Sequence, residues 1–262
     1  MNIKNYIKFY KYKKNNNKIY AIKNGVKHLL LPNKNIKISG YNNEIILNCD
    51  NLNNFIKKFP KGLRIKINGN NNICKIEYPI KFENVTIILA NDNNLFDIQS
   101  TPHKFAGAYL EIADESSVII GKNSEISSGN FYCIARHNYK KPHKLVIGQG
   151  VHIARDTIIR LCDGETFIDP ITKQALNEPQ DIIIGDNVWL MTRCMVVKGA
   201  VIPNGCAIAP YSFVNKKYKV ENLLLAGIPA QIKKENIKWI PKSYKGYMRD
   251  CENEEVIYGN KE

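Results

Sequence analysis

The sequence lacks the apolar segments that membrane insertion and secretion require. No run of about 18 consecutive apolar residues, the length that a spanning helix needs, occurs among its 262 residues. The N-terminal stretch MNIKNYIKFYKYKK contains no apolar core of about 7–15 residues of the kind found in signal peptides. We therefore expect a protein that neither spans a membrane nor is secreted through a signal peptide, and that works in the cytoplasm.

Paired cysteine motifs are also missing. The seven cysteines are scattered along the chain, their number is odd, and none forms a CxxC pair. Because disulfide frameworks and zinc sites show characteristic paired spacings, we predict neither of them, and no bound metal. This pattern is typical of proteins in the reducing cytosol.

Acidic residues are few relative to basic ones. Lysine and arginine number 38 against 24 aspartate and glutamate, which gives a formal net charge of +14. Such a surplus favours an anionic partner, whether nucleic acid, a membrane surface, an acidic polymer or a nucleotide. The abundance of Lys, Asn and Ile is equally typical of an AT-rich gene. No zinc-finger spacing or RRM consensus occurs, so we do not expect nucleic acid as the partner.

What the sequence does contain is a repeat of six residues. Inward-type apolar residues recur at this interval in one stretch, at Ile184, Leu190, Val196, Ile202, Ile208 and Val214. A small or β-branched residue lies two positions before each of the last five, at Val188, Cys194, Ala200, Cys206 and Ser212. Helices repeat every 3.6 residues and strands every 2, so a period of six indicates a hexapeptide β-helix. We predict an all-β solenoid.

The repeat also divides the chain. Two polar excursions, 135–144 and 162–181, interrupt the hexads, and function concentrates in loops on rigid scaffolds. The residues before the hexads form either irregular solenoid coils or a separate β-domain. The predicted parts are a lead segment (1–35), irregular β coils (36–118), the hexapeptide-repeat domain (119–222), and a tail (223–262) in which a short helix caps the open end.

Four blocks resemble a known family. They are IGDNVWL (184–190), KGAVIPNG (198–205), FVNK (213–216) and AGIPA (226–230). Over roughly 145–240 the chain resembles the hexapeptide-repeat acyltransferases, and within them the branch that O-acetylates sugars and capsular polysaccharides. The resemblance implies a left-handed parallel β-helix and a homotrimer with active sites between neighbouring subunits. It also implies acetyl-CoA as the co-substrate, lying along the solenoid.

One residue departs from the family pattern. Relatives carry a catalytic histidine in the loop before IGDNVW, often within DGH, whereas this chain reads CDGETFID and has Glu165 there. The distance in sequence to Trp189 is the one expected from the family, so misalignment does not explain the change. Acylation of a hydroxyl needs a base, and an imidazole titrates near working pH. A glutamate, with a pKa of about 4.3, is a weak base unless burial raises that pKa to about 6–7.

Three interpretations remain open. Glu165 is the base or orients the acceptor; another histidine has taken over; or the site needs no strong base or is inactive. If the second excursion replaces a single turn, His152 and Trp189 project from one face of the solenoid at a strand spacing of ~4.8 Å. His152 is then a candidate base, with packing at a subunit interface as the alternative. The remaining histidines lie in the first excursion or outside any motif, at His28, His103, His137 and His143.

The resemblance also implies roles around the substrates. Trp189 resembles the family tryptophan beside the reacting groups, where its ring can stack on the apolar face of the acceptor sugar. The alternative role is packing between protomers. CoA needs close backbone approach along its arm and cations at its phosphates. Met191 and Tyr211 occupy positions where relatives usually have small residues. We therefore expect their side chains to narrow the channel that binds the CoA arm. The predicted donor-binding residues are Gly199, Ala200, Ala207, Ala209, Ser212, Lys216, Lys217 and Lys233, with Gly205 and Lys234 also available.

The predicted function is acetyl-CoA-dependent O-acetylation of a sugar hydroxyl in a capsular or other surface polysaccharide. An acidic polysaccharide suits the positive charge of the protein. Two other functions remain open. One is N-acylation of an amino sugar nucleotide, because an amine nucleophile needs less help from a base. The other is a catalytically silent solenoid that binds polysaccharide.

Overall fold

The computed structural model describes most of the chain, and the part that it describes is almost entirely built of strands. One helix, α1 (Tyr244–Tyr258), lies within the described part, and no helix there is long and apolar enough to cross a membrane. The described residues are 15–30, 34–49, 60–127, 131–135 and 142–258, with the backbone alone described for 131–135 and 252–258.

The strands form three sheets, A, B and C, in which most neighbours are parallel. Sheet A contains, in spatial order, β2 (Val26–Leu29), β1 (Lys18–Lys23), β4 (Glu44–Asn48), β6 (Ile73–Glu77), β9 (Leu95–Ile98), β12 (Ser117–Ile120), β15 (Lys144–Ile147), β18 (Ile182–Ile184) and β21 (Val201–Ile202). Sheet B contains β3 (Ile36–Ser39), β5 (Leu63–Asn68), β8 (Val85–Ala90), β11 (Ala108–Ala113), β14 (Phe131–Ala135), β17 (Ile158–Arg160), β20 (Met195–Val197) and β23 (Phe213–Val214). Sheet C contains β7 (Lys81–Glu83), β10 (Lys104–Ala106), β13 (Glu125–Ile126), β16 (His152–Ile153), β19 (Trp189–Leu190), β22 (Ala207–Ile208), β24 (Leu224–Gly227) and β25 (Ala230–Lys234).

The chain winds through these sheets in a fixed order. From β6 to β23 successive strands belong to sheets A, C and B in rotation. In the last coils each hexad therefore supplies one strand of one sheet, which defines a β-helix-type fold. The repeating aliphatic residues and the small residues before them are buried, as predicted. Parallel neighbours there lie 18 residues apart in the sequence, at Ile184 and Ile202, Leu190 and Ile208, and Val196 and Val214.

The earlier coils use the same three sheets but a different device at one corner. Their coils are longer than 18 residues, and a buried asparagine precedes successive strands of sheet A at Asn17, Asn43, Asn72 and Asn94. Each side-chain amide donates to the side-chain oxygen of the asparagine one coil earlier, at 2.8–3.0 Å. The same oxygen also accepts from a backbone N–H of the next coil. These buried polar groups are therefore satisfied by one another.

Both ends of the described part differ from the prediction. Residues assigned to the lead segment form a β1–β2 hairpin, and β1 joins sheet A because Ile19 and Ala21 bury their side chains in the core. At the other end β25 pairs antiparallel with β24. The predicted short helix cap is wrong in this respect. The chain reverses at Gly227, whose φ of 110° favours glycine, and α1 begins only at Tyr244.

The stacked buried asparagines form a hydrogen-bonded ladder whose loss should lower stability. Asn72→Ala removes the acceptor of the Asn94 backbone N–H and of its side-chain amide, both in a buried environment. Because each unsatisfied buried group costs about 1–3 kcal/mol, we expect the free energy of unfolding to fall by about 2–4 kcal/mol in equilibrium urea unfolding. The matched control is Asn48→Ala at an exposed position of β4, with a change below about 0.5 kcal/mol. Equal losses in both variants would contradict the role of the ladder.

Candidate active site

The outer surface of sheet C carries a column of aligned side chains. Parallel pairing places Glu125 beside His152, and His152 beside Trp189. The residue that follows each of them is buried, so the alternation of a strand directs all three outward. The predicted neighbourhood of His152 and Trp189 is confirmed, with their ring centroids 6.5 Å apart.

His152 is held by a carboxylate. Its Nε2 lies 2.6 Å from Glu125 Oε1, and the other carboxylate oxygen, Oε2, lies 3.4 Å from His103 Nδ1. Because an ionised carboxylate only accepts hydrogen bonds, Nε2 carries the proton and Nδ1 of the neutral ring has a free lone pair. Burial lowers the pKa of His152 below its ordinary value of about 6.5, Glu125 acts against this shift, and His103 adds to it. The ring is therefore mainly neutral at pH 7.

A second tryptophan completes the site. The segment after β25 returns over sheet C, and Trp239 Nε1 donates to the backbone oxygen of Asn187 at 2.6 Å. The Trp239 ring centroid lies 6.1 Å from that of His152 and 5.7 Å from that of Trp189. His152 and Trp239 border a cavity of about 610 Å³, and the Trp189 ring lies beside both of them. The lining of the cavity includes His103, Glu125, His152, Lys238 and Trp239, with asparagines from the adjacent turns at Asn123, Asn187, Asn204 and Asn222.

Glu165 lies on another side of the protomer. The excursion 162–181 leaves sheet B after β17 and enters sheet A at β18, whereas His152 and Trp189 project from sheet C. The Glu165 side chain is exposed. One protomer therefore does not form the buried environment that a glutamate base requires.

The loop that carries Glu165 is nevertheless well braced. Lys198 Nζ lies 2.5 Å from Asp163 Oδ2, and the Asn177 side chain donates to both Asp163 Oδ2 and the Glu165 backbone oxygen at 2.9 Å. Burial tends to raise the pKa of Asp163, but the hydrogen bonds from Lys198 and Asn177 lower it overall. Gly164 takes a φ of 104°, a backbone conformation that favours glycine.

The predicted donor-binding residues fall into two groups. Ala200, Ala207 and Ser212 are buried within one protomer, while Gly199 and Ala209 are half-buried. The lysines are exposed, and Lys216 Nζ lies 3.2 Å from Gln231 Oε1. Of the two residues expected to narrow the channel, Met191 packs against the core and Tyr211 is exposed. The exposed lysines are Lys216, Lys217 and Lys233.

Sequence reasoning did not find three members of the site. Glu125 precedes the inward Ile126 as His152 precedes Ile153, and the same counting rule identifies it once the first excursion is treated as an insertion. His103 and Trp239 have no such signal. The first excursion, with His137, lies largely outside the described residues. Among the residues that the structure does describe, no group of three or more His, Cys, Asp and Glu side chains could hold a metal ion.

Comparison with known proteins gives consistent relatives. No protein-family model matches the chain. The polysialic acid O-acetyltransferase of Escherichia coli O1:K1 is 33% identical over 124 residues, which cover 47% of this chain and 38% of that protein. The enzyme of the same name from Neisseria meningitidis is 27% identical over 220 residues, or 80% of this chain and 92% of that one. The crystal structure of the polysialic-acid-specific acetyltransferase NeuO superposes with a TM-score of 0.69 and 27% identity, over 85% of this chain and 97% of NeuO.

Three mostly parallel sheets, with one strand per hexad in the last coils, together with these relatives, support an acetyltransferase. Over most of its length the chain is similar to the Neisseria meningitidis enzyme and to NeuO.

Proposed function

We propose that the protein is an acetyl-CoA-dependent O-acetyltransferase whose acceptor is a sugar hydroxyl of a capsular polysaccharide. The observation that carries this proposal is the structural match to NeuO over almost the whole of that protein. The cavity on sheet C supports it, because the indole ring of Trp239 in its lining can stack on a sugar and asparagine side chains can hydrogen-bond to hydroxyls. The two curated relatives act, by name, on polysialic acid, and a net charge of +14 suits such a polyanion.

We further infer a left-handed coil and a homotrimer with active sites between neighbouring subunits. The second excursion contains a hairpin at about 167–176. This hairpin supports self-association, because it presents large apolar side chains that a monomer leaves in water. Packing of this hairpin against sheet C of a neighbouring copy buries them and brings Glu165 to the cavity, where it orients the acceptor. The exposed residues are Phe167, Ile168, Ile171 and Leu176.

The acceptor proposal is tested with purified protein, acetyl-CoA and a panel of acceptors. We expect release of CoA and base-labile acetyl esters with polysialic acid, and little with a neutral glucan, because the basic surface attracts the polyanion. The control is the same assay at high salt, which screens this attraction. Acetylation of amino sugar nucleotides alone would establish the N-acyltransferase instead. No transfer to any hydroxyl or amino acceptor would leave a silent polysaccharide-binding protein.

The trimer is tested by light scattering after gel filtration. We expect three times the mass of one chain for the wild type, and a shift toward monomer for Ile171→Asp, because this side chain is 88% exposed within one protomer and a buried carboxylate is costly. Lys173→Glu on the same hairpin is the control for a change of charge alone. A monomeric wild type would exclude the trimer.

The donor lysines predict a change in KM. Lys216→Ala, Lys217→Ala and Lys233→Ala each remove a cation proposed to meet a CoA phosphate. We expect the KM for acetyl-CoA to rise about 3- to 10-fold with kcat nearly constant, as for a solvent-exposed charge contact. Lys37→Ala on sheet B is the matched control. If one of these lysines binds the 3′-phosphate of CoA, its substitution should raise the KM less for a donor that lacks this phosphate. Unchanged KM values in all three variants would refute the assignment.

A further inference from the structure

A base for acyl transfer to a hydroxyl must satisfy three conditions. It must be unprotonated at working pH, it must have a lone pair that faces room for the acceptor, and it must be held in place. Glu165 is exposed within a protomer, so it lacks there the burial that makes a carboxylate a stronger base. His152 meets all three conditions in a single chain.

The first condition follows from the surroundings of the ring. Only 26% of the His152 side chain is exposed, and burial disfavours the imidazolium more than Glu125 favours it. Besides Glu125 from β13, the charged or titratable groups around the cavity are His103 from the turn before β10 and Lys238 from the tail. Lys104, next along the column, is paired with Glu83 at 2.5 Å. The groups nearest the ring therefore leave it neutral but able to accept a proton.

The second and third conditions follow from the contacts. The Nε2–H of His152 is fixed by Glu125 at 2.6 Å, so Nδ1 is the nitrogen available to an acceptor hydroxyl. The rings of Trp189 and Trp239 stand on the same site, 5.7 Å apart, and the cavity of about 610 Å³ accommodates a sugar residue. The backbone N–H of His152 is hydrogen-bonded to Val188 on the next coil, so the ring projects from a rigid strand.

We propose that His152 is the catalytic base of the acetyl transfer, with Glu125 as its positioning residue, in place of the loop histidine that Glu165 replaces. This proposal rests on the O-acetyltransferase function proposed above. It assigns to the outer column of sheet C a role that the family places in the loop.

The acceptor hydroxyl gives its proton to Nδ1 of His152 while its oxygen forms a bond to the thioester carbonyl carbon, whose π electrons move onto the carbonyl oxygen. When the tetrahedral intermediate collapses, the carbon–sulfur bond breaks and Nδ1 gives its proton to the departing sulfur. The products are the acetyl ester and CoA thiol, and the histidine is neutral again. The Glu125 carboxylate accepts the hydrogen bond from Nε2–H and stabilises the transient imidazolium, as the carboxylate does in other histidine–carboxylate pairs.

The proposal is tested by kinetics with acetyl-CoA and polysialic acid. We expect His152→Asn to lower kcat by about 10²- to 10⁴-fold, the usual contribution of a general base, while the KM for acetyl-CoA stays within about twofold. The matched control is His143→Asn, which removes a histidine at another corner that is also paired with a carboxylate, Asp181, at 3.1 Å. It should leave kcat unchanged. Glu165→Gln should cost less than His152→Asn; the reverse order overturns the proposal.

The pH profile separates chemistry from structure. In the wild type, kcat should rise with pH along one limb whose midpoint lies below about 6.5. Glu125→Gln removes the charge that favours the imidazolium, so the midpoint moves to lower pH, and kcat falls about tenfold or more because the ring is no longer held. His103→Gln removes a group that lowers the pKa of His152, so the midpoint moves to higher pH. A purely structural role leaves the midpoint where it is, and that result overturns the proposal.

The outcomes also separate this proposal from the proposed function. If the wild type transfers acetyl groups and folded His152→Asn, checked by circular dichroism, transfers them equally well, only the base assignment is overturned. If the wild type transfers to no hydroxyl, both fail. Should His152→Asn not fold, the opposite midpoint shifts of Glu125→Gln and His103→Gln decide the question.

Discussion

The stacking of inward aliphatic side chains in parallel register is the constraint on which the rest of the molecule depends. Ile153 lies under Leu190 and Leu190 under Ile208, each pair joined by parallel strand pairing. Once these side chains are buried, the side chain before each of them has to project outward on the same line. The distance between His152 and Trp189, and therefore the existence of the site, follows from the core.

The two parts of the coil satisfy this constraint by different means. In the later coils a small side chain fits inside each turn, as at Cys194 and Ala200, and the period of six records that fit in the sequence. In the earlier coils a buried asparagine occupies the corner and hydrogen-bonds along the stack. In the sequence these asparagines look like base composition alone, because a ladder that recurs every 22 to 29 residues leaves no short period to detect. The fold of the later coils was therefore predictable, and that of the earlier ones was left open between two possibilities.

The candidate site likewise contains residues that the sequence spacing predicts and residues that it does not. His152 and Trp189 could be placed side by side from the sequence because only a count of hexads across one insertion was needed. Glu125 required the same count across the other, shorter interruption, and Trp239 reaches the site through a tail whose path depends on tertiary packing. The exposure of Glu165 could not be read from its position either, since a loop residue is buried or exposed according to what packs on it. Local spacing thus predicts the column on sheet C, while the residues that close the cavity over it come from the three-dimensional path of the chain.

The outward column on sheet C has a consequence for how such an enzyme changes over time. Lys81, Lys104, Glu125, His152 and Trp189 occupy equivalent positions on successive coils, separated by one strand spacing of ~4.8 Å. Their backbone is fixed by the core and does not depend on which side chain points outward. A substitution at one of these positions therefore changes the group that the column presents without requiring a new fold. In a scaffold of this kind the core sets where a reactive group can stand, and the outward residue alone sets which group it is.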